Sequence, residues 1–135
     1  ECFTCHRGMK EPYRLSQVLS KTLAKEGLDA MMAKYGELRE EYYGRAAYDF
    51  GEQTLILMAT DLDLDAGLRV LRMNLEYYPE SADTHVQLGN LLLQSGEREV
   101  GIAALQKAVK LDPRNRWARG QLRRAREGDT AQDEE

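Results

Sequence analysis

The sequence predicts an all-α fold: a helical repeat array of about seven helices behind an irregular N-terminal segment. Three observations predict it. Only three prolines interrupt 135 residues. Apolar residues recur at spacings of three and four rather than two, the mark of a helix face. A period of 34 residues also runs through the second half of the chain. Pro113 follows Pro79 at that interval, and Gly101 follows Gly67, Leu105 follows Leu71 and Gly89 follows Leu55.

The elements follow in order. Residues 1–14 are polar and irregular, with Gly8 and Pro12 as breakers. Residues 15–47 read as a helical hairpin. Its first helix starts from Ser16 as N-cap, carries Val18, Leu19, Leu23 and Ala24 on one face, and ends at Gly27. Its second starts near Leu28, bears the stripe Met31, Met32, Tyr35, Leu38, Tyr42 and Tyr43, and is closed by Gly44. Residues 48–127 hold the two repeats and a capping helix. Each repeat reads helix, short turn, helix, then a turn containing proline. The inner turns fall near Asp61–Asp65 and at Gln94–Glu97. The capping helix, Arg116–Glu127, places Trp117, Leu122 and Ala125 on one side. Residues 128–135, GDTAQDEE, are acidic and lack core residues, so they are expected to be a disordered tail.

Composition removes several function classes. The chain has 42% hydrophobic and 31% charged residues and a net charge of −4, with a pI near 5.3. Such a balance does not suit a nucleic-acid binder. No stretch approaches the roughly 20 apolar residues that span a bilayer, so no membrane span is expected. Two cysteines three positions apart cannot staple a fold of this size. There is no Ser/His/Asp set, no phosphate loop and no recognisable pair of catalytic carboxylates, and the chain is read as a non-enzyme. The first residue is Glu1 and not Met, which reads as a processed or trimmed product.

The 34-residue period resembles the tetratricopeptide repeat. The second unit carries the resemblance through Leu88-Gly89, Leu92, Gly96, Leu105, Ala108 and Pro113. Small residues at Gly89, Gly101 and Ala108 would let two antiparallel helices approach closely, with Leu88, Leu92 and Leu105 filling the seam. The departures are Gly101 in place of the usual Ala and His85 in place of an aromatic. The first unit departs further, with Leu55 for the small residue and Asn74 for Ala. The stretch Leu28–Pro113 also resembles helical tails that follow secreted hydrolase domains, with a similar junction at Asn74–Asp83. No hydrolase domain lies in this sequence, so no activity carries over.

The chemistry lies at the front of the chain. Cys2-Phe3-Thr4-Cys5-His6 is C-x-x-C-H, the pattern of c-type haem attachment. Two thiols at this spacing can each add to one haem vinyl group, and the next residue then offers its imidazole to the iron. With two Cys and two His in the chain, the pattern arises by chance on the order of once in several thousand sequences of this length. A thioredoxin-like redox pair would need a βαβ setting, which the sequence lacks. A zinc site would need four ligands, and beyond the motif only His85 could be added. Thr4-Cys5-His6-Arg7-Gly8 with Pro12 resembles the last haem site of the photosynthetic reaction-centre cytochrome c subunit family. In that family a preceding helix supplies the distal Met. The stretch that would hold it lies before Glu1, outside this sequence.

These readings give one haem c per chain, bound through Cys2, Cys5 and His6, with the iron held by His6. His85 has two readings: a packing residue of the second repeat, or the second axial ligand, within the chain or given to a neighbouring chain. Met9 leaves on the proximal side, and Met31 and Met32 read as core. Asp61-Leu62-Asp63-Leu64-Asp65 lacks the spacing, the glycine and the final Glu of a calcium loop, and reads as a solvated junction. The arginines of 114–126 read as a solvated face, with docking of an acidic partner or of haem propionates as the alternative. A groove face of Asp83, Val86, Asn90, Leu93 and Gln94 would be open to a peptide. The expected function is electron carriage, with redox partner proteins and with other copies or other cytochrome subunits on the repeat surface, extending to a filament of stacked haems. The alternative is a tetratricopeptide-type interaction module in which the motif is a remnant of a larger cytochrome. A haem enzyme with an open distal site is a third reading. Covalent haem attachment takes place outside the cytoplasm, so a periplasmic or extracellular location is expected.

Overall fold

The computed structural model describes residues 14–44 and 48–132, with side chains to Gly128. Among these residues there are seven helices and no strand: α1 Leu15–Glu26, α2 Leu28–Tyr42, α3 Glu52–Thr60, α4 Leu64–Tyr77, α5 Ala82–Gln94, α6 Arg98–Leu111 and α7 Arg116–Gln132. The chain divides into two compact units, one up to Thr54 and one from Leu55 onward.

In the first unit α1 and α2 form the hairpin. Ser16 is not its cap. The helix is entered from Arg14 without a side-chain cap, and Ser16 lies inside the first turn. Gly27, at φ +92°, makes the reversal into α2 in a backbone region that disfavours side chains. Leu15 and Leu19 of α1 are buried, as are Met31, Tyr35 and Leu38 of α2. These five share the period that a two-helix seam requires. Beyond α2 the chain buries Phe50, whose ring meets Tyr35 edge to face at 5.9 Å. Arg39 ties the arrangement together. Its Nη1 donates to the Tyr35 hydroxyl at 3.2 Å and to the Phe50 carbonyl at 3.1 Å.

The second unit is the repeat array. Asp63 caps α4 by accepting from the Ala66 amide at 2.9 Å. Ser81 caps α5 through the Thr84 amide, and Gly96 at φ +88° closes α5. The glycines expected to permit close approach do so. A β-carbon on Gly89 would stand 2.9 Å from the Gly101 carbonyl oxygen and 2.8 Å from Leu105 Cγ. One on Gly101 would stand 3.0 Å from the Gly89 carbonyl oxygen. In the first repeat Gly67 has the same role, with the Ala59 carbonyl oxygen and Leu91 Cδ1 each at 3.0 Å from such an atom.

Helices α5, α6 and α7 share one core of Val86, Leu105, Ala108, Ala118, Leu122 and Ala125. Two expectations are corrected here. Val86 is fully buried and forms no part of an open groove. The inward residue of the first turn of α7 is Ala118, and Trp117 is 41% exposed. Residues 118, 122 and 125 keep the helical period, whereas 117 falls beside it. Helix α7 also runs to Gln132, past the expected end at Glu127. Near that point Gly128 lies against the Arg98 guanidinium, which donates to the Ala125 carbonyl. Together they pin this turn of α7 to the start of α6.

Candidate functional site

Cys2, Cys5, His6 and Met9 lie outside the described residues. The described chain starts at Arg14, eight residues past His6. Extended chain of that length spans at most about 29 Å, which limits how far the motif can stand from α1.

His85 sits in the first turns of α5 and is half-buried. Its Nε2 is 3.2 Å from the Pro79 carbonyl oxygen. That bond ties the ring to the turn before the helix. It also has a chemical consequence: a ring that donates from Nε2 to a carbonyl keeps its Nδ1 lone pair for another partner. Met31 is fully buried and Met32 half-buried in the α1/α2 hairpin. Met58 and Met73 belong to the core of the second unit.

The Asp61–Asp65 junction has a structural use, since Asp63 is the cap of α4. Among the described residues no cluster of three or more His, Cys, Asp or Glu is arranged to hold a metal ion. At the expected groove face, Asp83 accepts from Asn115 Nδ2 at 2.9 Å, and Asn115 Oδ1 accepts from the Ala118 amide at 3.0 Å. Asn115 thus caps α7 and links it to α5. These side chains are committed to holding the array together.

The arginine cluster is where the structure adds most. Arg119, Arg123 and Arg126 stand on one side of α7, all exposed. With Val109 of α6, Leu122 and Glu127 they line a cleft of about 340 Å³. The floor is apolar, from Val109 and Leu122. The rim is cationic, tempered by Glu127, which lies 3.8 Å from Arg123 Nε. The sequence points to the arginines but not to the floor, because Val109 belongs to another helix. A second feature has no counterpart in the sequence reading: Leu57 on α3 is 64% exposed although its neighbours Leu55, Ile56, Met58 and Ala59 are buried. A helix apolar on nearly every side gives no sequence signal for which face remains outside.

No family model matches the chain, and no curated protein matches it. Among the described residues no helix is long and apolar enough to cross a membrane.

Proposed function

We propose that the chain is a c-type cytochrome electron carrier, with one haem c joined to Cys2 and Cys5 and its iron held by His6. The observation that carries this reading is the C-x-x-C-H pattern at residues 2–6. The haem cycles between ferrous and ferric iron, and no substrate bond changes. The helices serve as a mount and as a surface for redox partners, other copies or other cytochrome subunits. The site of action is periplasmic or extracellular, as covalent attachment requires.

Two features of the described residues suit such a role. Tyr43 is 61% exposed, its ring centre 6.4 Å from that of Phe50 and 4.4 Å from the Arg39 guanidinium. An exposed aromatic ring on the first unit is one part of the apolar cover that a tethered porphyrin needs. His85 retains a nitrogen for iron if Nε2 donates to Pro79. The test is direct. The purified chain, matured by a haem-attachment system, should show the Soret band, a pyridine haemochrome spectrum of the c type and a mass raised by one haem. Colourless protein of unmodified mass rejects the reading.

A second reading is supported by the all-helical repeat fold itself: a tetratricopeptide-type interaction module, the motif being left from a larger cytochrome. Colourless protein that still binds a partner through the helical surface favours it.

A further inference from the structure

The molecule is strongly polarised. Residues 114–126 contain six arginines and no acid, which leaves 13 Lys and Arg against 23 Asp and Glu elsewhere. Five of the six stand on α7, the last helix of the repeat unit. The same unit begins on α3, where Leu57 projects and Asp61, Asp63 and Asp65 follow at once, all exposed. One end of the unit therefore presents an apolar floor edged by three arginines and Glu127. The other presents an apolar knob beside three carboxylates.

We propose that the α6/α7 cleft receives Leu57 of a second copy of this chain, so that copies associate head to tail. Leu57 would meet Val109 and Leu122, removing apolar surface from water on both sides. The second copy's Asp61 and Asp65 would face Arg119, Arg123 and Arg126, while Asp63 keeps its capping bond within α4. Charge of opposite sign steers such an encounter and fixes its direction, while the leucine adds the burial of apolar surface. Two different surfaces meet, so the contact is heterologous and leaves a free knob and a free cleft after each addition. This inference deepens the self-assembly part of the function proposed above and rests on it, but it does not need the haem.

The experiment is sedimentation velocity on the full chain at millimolar concentration. Wild type should sediment as a concentration-dependent series. Raising salt from about 0.1 M to about 1 M shortens the Debye length from about 10 Å to about 3 Å and should weaken association by about tenfold or more. Two variants separate the surfaces: L57R, which places a cation on the knob, and R119A/R123A, which strips the rim. All of these positions are exposed, and far-UV circular dichroism should match wild type. Each variant alone should stay monomeric. Mixed, they should form a one-to-one dimer and stop, because the intact knob of one meets the intact cleft of the other. Wild type that remains monomeric at low salt overturns the proposal. So does association that either variant leaves intact, and so does a mixture that fails to form the dimer. The Soret band of the same samples keeps this result apart from the cytochrome reading. A colourless chain that forms the mixed dimer retains the interface and loses the haem, and a coloured chain that never associates does the reverse.

Discussion

The two repeats share one plan and hold it by different chemistry. In the second repeat two glycines let the helix backbones approach, and Gly89 and Gly101 each lie against the other's carbonyl oxygen. In the first repeat the position matching Gly89 is Leu55, fully buried, and the position matching Ala108 is Asn74, also fully buried. That asparagine donates from Nδ2 to Thr84 Oγ1 at 2.9 Å, and Thr84 Oγ1 lies 2.7 Å from Ser81 Oγ. The end of α4 is thus joined to the cap of α5 by a buried polar chain, at the place where the second repeat has only a methyl group. Backbone proximity is a property of shape and tolerates no added atom. A polar lock is directional and tolerates no missing partner.

The largest effect should come from the shared seam position. Leu71 and Leu105 are both fully buried. Leu105→Ala empties the core common to α5, α6 and α7 and should destabilise the second unit by about 2–5 kcal/mol, read from urea unfolding. Leu71→Ala should fall in the same range. If only one of the two does, the seam is not shared between the repeats.

Next come the glycines. Gly89→Ala gains helix propensity but forces a methyl group against the Gly101 carbonyl and Leu105, for a net loss of about 1–3 kcal/mol. Gly120 is the control. It lies inside α7, and a β-carbon added there would meet nothing within 4 Å. Gly120→Ala should therefore stabilise by about 0.5–1 kcal/mol. Opposite signs from one chemical change would show that close approach, not glycine content, distinguishes the α5/α6 hairpin. Both are measured as shifts in the thermal midpoint.

How much of this is legible in the sequence follows from what each feature depends on. The period of 34 residues exposes the hairpins, because spacing within one segment is local information. Gly89 and Gly101 can be matched for the same reason. The 118, 122, 125 spacing is also present in the sequence, yet Trp117 outweighs Ala118 there, because the largest apolar side chain reads as the inward one. The Asn74 to Thr84 lock is not visible, since a polar residue in a core looks like a defect until its partner is placed. The cleft is beyond reach, because its floor joins Val109 of α6 to Leu122 of α7. Cys2, Cys5 and His6 carry their meaning in sequence alone, so their reading owes nothing to the helices.

A smaller change tests the lock. Asn74→Ala installs in the first repeat the residue that the second has at 108. Thr84 keeps Ser81 as a partner, so the loss should be about 1–2 kcal/mol. The reciprocal Ala108→Asn places an amide in an apolar core without a Thr84 equivalent and should cost more than Asn74→Ala does. If the two substitutions cost the same, the polar chain contributes nothing specific to the first repeat.

The smallest expected effect on folding is at His85. The ring is half-buried and its one described bond goes to the Pro79 carbonyl, a contact at the surface. His85→Ala should change stability by no more than about 0.5 kcal/mol, as for surface positions generally. Under the cytochrome reading proposed above, its effect on the spectrum of an attached haem is a separate quantity. If Nδ1 of His85 completes the iron's coordination, removing the ring should convert a six-coordinate low-spin spectrum to high spin while the unfolding curve stays in place. A spectrum that does not move assigns His85 to packing alone, and the second repeat then contributes mount and surface but no ligand.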